Sequence, residues 1–229
     1  MAKHKVTVQQ ASEAELGSLA SWYRMADPEM PHEPDQVLND RHVSASRSGV
    51  LGSSLGHSDD QALMKCLEYD DLLDQFMART LVLSARVDGQ TVGMLVMGPP
   101  SALYVKMMKR IPPTEQGLIQ RVHLGIVFGL SKLDVVCVAP ENRGRGLGAR
   151  LVRHAIGIAR ESAVMQIYGQ FREEDALKPL YEKLGFEVCS PGETLRVRAG
   201  APIEIFSKPT EALFSKRIGL PDSAVSRAY

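Results

Sequence analysis

The chain's strongest constraint lies in residues 133–160. LDVVCVA is a near-continuous apolar run of strand length that closes at Pro140. It feeds into the glycine-rich stretch ENRGRGLG, after which Leu147, Leu151, Val152, Ala155, Ile158 and Ala159 recur at helical spacing. A strand, a glycine turn and a helix in that order make an anion site. The glycines let the backbone approach a ligand, and the unpaired N–H groups of the first helical turn face it with the positive end of the helix dipole. Two nucleotide readings can be tested against the letters. A triphosphate P-loop needs Lys and a hydroxyl after its last glycine, and neither follows Gly148. Gly144, Gly146 and Ala149 do satisfy the short dinucleotide pattern G-x-G-x-x-A. However, Pro140, Glu141, Asn142 and Arg143 separate strand from turn, and the turn falls too late in the chain for a doubly wound NAD(P) domain. That leaves an NAD(P)-binding oxidoreductase as the weaker alternative.

Composition bounds the rest. The 229 residues carry 27 basic and 27 acidic side chains, so the formal charge is zero. The zero is an average: residues 1–100 hold 8 basic against 14 acidic groups, and residues 101–229 hold 19 against 13. Without a net basic excess, neither nucleic acid nor an acidic membrane is an expected partner. MAKHKVTVQQ has no apolar run of signal-peptide length, and no stretch approaches the roughly 20 apolar residues of a membrane span. Cys66, Cys137 and Cys189 are odd in number and flanked by apolar residues, which fits reduced thiols and a cytoplasmic location.

Residues 5–10 alternate as a strand and meet Ser12, with Glu15 three positions on, a capping box for a helix to about Ala26. Residues 27–60 show neither period and read as a long mobile loop. From Asp60, Leu63, Cys66, Leu67, Leu73, Phe76 and Met77 describe one amphipathic helix with an acidic break. Residues 80–87 and 91–98 read as a hairpin about Asp88-Gly89. Residues 99–130 read as an insertion with one or two short helices. Its Met-rich face fits core packing, an oligomer contact such as a homodimer, or a substrate lid. A strand over 164–171 precedes a helix capped by Asp175 and stopped at Gly185. Closing strands are expected over 186–190, 194–199 and 203–207, then a short helix and loose tail over 209–229. The order describes one mixed α/β domain around a central sheet.

VCVAPENRGRGLGARLV resembles the signature segment of the GNAT superfamily, the acyl-CoA-dependent N-acyltransferases. Its pattern Gln/Arg-x-x-Gly-x-Gly/Ala is met by Arg143, Gly146 and Gly148, and ALKPLYEKLGF matches the family's later helix with its Tyr and closing Gly-Phe. The resemblance covers residues 133–188. It implies an acyltransferase domain over 1–208 whose sheet is mostly antiparallel, flanked by helices and splayed at the coenzyme-binding strand. It further implies acetyl-CoA, or another acyl-CoA, as co-substrate. The turn from Arg143 through Gly144, Arg145, Gly146, Leu147, Gly148 and Ala149 would hold the pyrophosphate. Main-chain groups of the strand segment Val136, Cys137 and Val138 would line the pantetheine, with Val136 and Val138 pairing to it. Glu174 stands where the family commonly has an Asn that contacts the coenzyme.

By the same resemblance Tyr181 is the general acid that protonates the departing thiolate, and the partner is an amine-bearing small molecule or protein. Asp134 shares a strand parity with Val136 and Val138, which makes it the leading candidate to bind or deprotonate the amine; Glu173, Glu174 and His123 are alternatives. His32, His42, His57 and His154 show no metal-ligand spacing, so no metal is expected. A non-catalytic acyl-CoA-binding module is the rival from another class, because no base stands out. The acidic first hundred residues hint at a cationic acceptor.

Overall fold

The computed structural model describes residues 5–29, 33–57 and 59–218; His32 and residues 219–229 of the expected tail lie outside them. In chain order, β1 (Val6–Gln10) leads to α1 (Glu13–Leu16), α2 (Leu19–Ala26), α3 (Asp35–Arg47), α4 (Asp59–Leu67) and α5 (Leu72–Ala78). The hairpin β2 (Leu81–Val87) and β3 (Gln90–Gly98) follows, then α6 (Ser101–Met108), α7 (Gln116–Leu124) and β4 (Leu130–Val138). The second half runs α8 (Leu147–Arg160), β5 (Gln166–Arg172), α9 (Lys178–Lys183), β6 (Glu187–Val188), β7 (Leu195–Arg198), β8 (Pro202–Ile205) and β9 (Glu211–Arg217).

The hairpin forms as its letters require. Asp88 and Gly89 both take positive φ, 49° and 86°, the geometry that matches the twist of a two-residue connection. The sheet built on it has the order β1-β2-β3-β4-β5-β9-β6, and every neighbouring pair is antiparallel except β4 with β5. One parallel pair cannot make a doubly wound nucleotide fold, so the dinucleotide reading of the glycine turn falls.

Alternation sorts the strands onto two cores. Leu81, Leu83, Leu95 and Leu133 meet Leu151, Val152, Ala155 and Ala159 of α8 on one face. Val82, Met94, Val96, Val135 and Cys137 meet Leu16, Leu19, Trp22 and Leu38 of α1–α3 on the other. Burying each large aliphatic side chain is worth about 2 kcal/mol, so α8 is held to the sheet by its apolar stripe. A third cluster joins Val122 and Ile126 to Leu195, Val197 and Ile203 of the separate two-stranded sheet β7-β8, and to Tyr168 and Leu213 of the main sheet. Leu103, Met107 and Met108 of residues 99–130 pack against this cluster, which is the core reading of that Met-rich face.

Several expected elements take a different form. The loop expected over 27–60 contains the 13-residue helix α3. Its buried positions Leu38, His42 and Ala45 have the i, i+4, i+7 spacing of a helix face, but a histidine holds the middle position, so a count of apolar residues misses the period. The single helix expected from Asp60 is two, because Asp71 accepts a hydrogen bond from the Leu73 N–H at 2.6 Å and starts α5 anew. Asp175 lies in a 3₁₀ turn and does not cap α9, which begins after Leu177. The strands expected over 194–199 and 203–207 form the separate two-stranded sheet. Residues 211–217, expected as a short helix and tail, are β9, inserted between β5 and β6. Ala212 and Phe214 fill the α8-side core while Leu213 fills the opposite one, a two-sided burial without the polar alternation that marks a half-buried strand. Among the described residues, no helix is long and apolar enough to cross a membrane.

Candidate active site

Pairing between β4 and β5 runs from Leu130↔Gln166 to Leu133↔Gly169 and stops. Beyond it β4 stays paired only with β3, and β5 only with β9. The two strands therefore part, opening a gap along residues 134–138. The Ala139 N–H donates to the Val92 carbonyl at 2.9 Å, so Ala139 and, by alternation, Cys137 turn their main chain towards β3. Val136 and Val138 turn theirs towards the gap. Cys137 borders the cavity beside the gap together with its two neighbours, but its main chain is paired to β3. Its thiol is buried, and burial raises its pKa, which disfavours the thiolate.

At the end of the gap the chain makes the glycine turn. Gly144 and Gly146 have φ of 74° and 75°, and no atom lies within 4 Å of a Cβ built on either, so the positions need glycine for conformation and leave open space before them. Gly146 is the N-cap of α8, and no side chain caps that end. The first-turn amides of Leu147, Gly148 and Ala149 have no intrahelical acceptor. They front a cavity of about 460 Å³ bounded by Val136, Val138, Arg143, Leu177 and Tyr181. Arg143 folds back, its Nε donating to the Val138 carbonyl at 3.0 Å, while Arg145 reaches Asn142 at 3.4 Å.

Tyr181 borders both this cavity and a narrow one of about 90 Å³ that contains Asp134. Its ring stacks on Phe214 of β9 with centroids 3.7 Å apart, and on Phe171 at 5.6 Å. A Cβ at residue 169 would come within 2.3 Å of Phe214, so Gly169 makes the room that Phe214 occupies beneath Tyr181. Burial, and then the nearby Asp175 charge, push the Tyr181 hydroxyl well above its ordinary value, so it stays protonated and able to donate.

Asp134 is placed by a bulge. Val96 pairs with Val135 and Met97 with Leu133, leaving Asp134 as the extra residue of β4. The bulge inverts the alternation. Val136 and Val138 face α8, and Asp134 faces the side of α2 and α3, contrary to the shared face expected from parity. Its carboxylate is 2.9 Å from Lys132 Nζ. It borders a third cavity of about 340 Å³ together with Tyr23, His42, Phe76 and Tyr104. Burial raises the pKa of Tyr23, and the Asp134 charge raises it further.

His42 was hidden within the expected loop. Its Nδ1 is 2.8 Å from the Leu38 carbonyl, so Nδ1 carries the proton and Nε2 the lone pair. Burial lowers its pKa below the usual 6.5, which keeps the ring neutral. The other base candidates do not themselves line the two cavities that Asp134 borders. Glu174 is ion-paired with Arg172 at 3.3 Å, Glu173 belongs to the same exposed turn, and His123 Nδ1 is 3.1 Å from the Tyr104 hydroxyl. Among the described residues, no cluster of three or more His, Cys, Asp or Glu could hold a metal.

A seven-stranded sheet splayed beside an uncapped helix N-terminus leaves a strand edge and free amides facing one cavity, a geometry suited to a ligand with an anionic end. Residues 78–188 match the model of the acetyltransferase (GNAT) domain. No curated protein sequence matches the chain. Among solved structures it is similar to yncA of Salmonella typhimurium, solved with its cofactor acetyl-CoA, at 15% identity and a TM-score of 0.53, covering 95% of this chain and 96% of that one. The ribosomal-protein-alanine N-acetyltransferase of Brucella melitensis is 21% identical with a TM-score of 0.52, covering 92% and 99%. The ribosomal-protein-S18-alanine N-acetyltransferase of Escherichia coli is 13% identical with a TM-score of 0.51, covering 98% and 99%. Residues 78–188, just under half of the chain, thus resemble a GNAT acetyltransferase domain, and the similar solved structures share its fold.

Proposed function

We propose that the protein transfers an acetyl or short acyl group from its CoA thioester to a primary amine by direct attack. The observation that carries this is the β4–β5 gap, which ends on the unpaired amides of α8 and is bordered by Tyr181. The amides from Gly144 to Ala149 take the pyrophosphate. Main-chain groups of Val136 and Val138 pair with pantetheine as an added strand would. The Val138 carbonyl is engaged by Arg143 before coenzyme binds; exchanging that partner frees the carbonyl and delivers the guanidinium to phosphate.

In the transfer step the amine lone pair forms the new C–N bond at the thioester carbonyl. The oxyanion is stabilised by the Val138 amide, which faces the gap. Collapse breaks the C–S bond, the amine proton passes to a base on the acceptor side, and the sulfur leaves with the Tyr181 hydroxyl donating to it. Because burial disfavours the phenolate, Tyr181 acts chiefly as a hydrogen-bond donor to the developing thiolate. Asp134 and His42 face the acceptor side, Asp134 as the anionic anchor of an ammonium and His42 as a neutral acceptor of its proton.

The test is calorimetric titration with acetyl-CoA, alongside CoA release in the presence of an amine panel. Binding with amine-dependent release is expected. Binding without transfer to any amine would leave a non-catalytic coenzyme module, and no binding would remove the turn as a coenzyme site.

A further inference from the structure

The cavity of about 340 Å³ beyond Asp134 is in the size range of small-molecule sites and has a definite chemical character. Its inner wall is Phe76 and Met77, both buried, with Tyr104 set edge-on to Phe76 at a centroid distance of 5.4 Å. Its mouth is apolar as well. Leu72, Leu73 and Val105 border the cavity from α5 and α6 and are 39%, 50% and 48% exposed. Three exposed aliphatic side chains from two helices thus border one opening.

The charges on its walls are few and matched. Glu33 is ion-paired with Arg41, and Asp134 with Lys132. Among the described residues, Asp134 borders both this cavity and the narrow one beside Tyr181, and the neutral His42 lines the larger of the two. A polyamine placed here would carry its second ammonium to Glu33, whose carboxylate Arg41 already holds, or bury it against Leu73, Phe76 and Val105 at a large desolvation cost. A peptide would bring backbone amides to the same apolar walls and leave them unpaired.

We infer that the acceptor is an amphipathic primary amine, with a single amino head and an apolar or aromatic body, an assignment that rests on the acyl-transfer function proposed above. The head lies at Asp134 and His42, and the body fills the space among Phe76, Tyr104, Leu73 and Val105. This narrows the cationic acceptor suggested by the acidic first hundred residues, whose one carboxylate bordering this cavity, Glu33, is paired with Arg41.

The probes are phenethylamine, spermidine and a short lysine-containing peptide. Binding is measured by calorimetry in the presence of CoA, and transfer by CoA release from acetyl-CoA. Phenethylamine is expected to bind and to be acetylated with the highest kcat/KM of the three. Val105→Asp and Leu73→Asp, at exposed mouth positions, should each weaken its binding about tenfold while leaving acetyl-CoA affinity unchanged. Circular dichroism and the retained acetyl-CoA affinity distinguish this loss from misfolding. Higher kcat/KM for spermidine or the peptide would overturn the acceptor class while leaving acyl transfer intact. Phenethylamine binding that is sensitive to Val105→Asp, without any acetylation, would uphold the cavity's specificity and overturn the transfer step. Phenethylamine binding unaffected by both variants would overturn the cavity assignment.

Discussion

The proposed coenzyme end and the proposed acceptor end of the site are built in opposite ways. The coenzyme end is one continuous stretch, β4, glycine turn and α8, which acts mainly through its backbone, with the Arg143 side chain added to it. The acceptor end draws Tyr23 and His42 from α2 and α3, Phe76 from α5, Tyr104 from α6 and Asp134 from a bulge, through side chains distant in sequence. A pyrophosphate can be held by peptide groups that any chain possesses once the glycines set the turn. An acceptor must be told apart by side chains, and these have to be gathered from separate elements. Change at one end should therefore leave the other unaltered, and this separability can be broken by experiment.

The largest effect is expected at the junction. Tyr181→Phe removes the donor to the thiolate and keeps the stack on Phe214, so kcat should fall about a hundredfold with the acetyl-CoA dissociation constant unchanged. Unchanged turnover in steady-state assays would take Tyr181 out of the chemistry. Next, Gly146→Val forces a β-branched residue into φ of 75° at the N-cap. The strain is about 2 kcal/mol, which corresponds to about thirtyfold weaker CoA binding by calorimetry with acceptor KM unaltered. A smaller loss, about tenfold in kcat/KM for the acceptor, is expected for Asp134→Asn or His42→Gln, with CoA affinity retained. For His42 the sign is set by its lowered pKa. The neutral ring persists until the pH falls below the usual 6.5, so any acid limb due to His42 should lie below that value and vanish in His42→Gln.

The smallest effect on activity is expected away from both ends, at Glu15. Its carboxylate accepts the Ser12 N–H at 2.7 Å, Arg86 Nη2 at 2.8 Å and the Thr91 hydroxyl, tying α1 to the hairpin. Burial pushes its pKa up, but the hydrogen bonds from Arg86, Thr91 and Ser12 outweigh that and hold it at about 2. Because the folded value lies below the ordinary 4.5, the stabilisation is complete above that pH and is lost as the pH falls towards 2. Glu15→Gln should cost about 2 kcal/mol at neutral pH, flatten the acid arm of a denaturant titration, and leave both affinities unchanged.

How far the letters carried depended on whether a signal was local. The hairpin was legible because Asp88-Gly89 states its own turn, and β4 and α8 because apolar run, glycines and helical period are contiguous. Helix α3 was not, since His42 occupies a core position that a hydropathy count treats as polar. Nor was β9, whose Leu213 and Phe214 are buried on opposite faces and so give no alternating pattern. That omission also concealed the platform under Tyr181. The face of Asp134 was misassigned for a related reason: a bulge is a mismatch between two strands, and a single strand read alone contains no mark of it.

By itself the sequence determined a strand, a phosphate-ready turn and a helix, because backbone conformation at glycines and the period of apolar residues are properties of neighbouring residues. It also placed five arginines and no carboxylate in residues 143–160, around that turn. Only the tertiary structure decided where β4 and β5 part, which way Asp134 faces and which side chains wall the acceptor cavity. Each of these depends on the register of one element against another, and register is set by packing across the whole sheet.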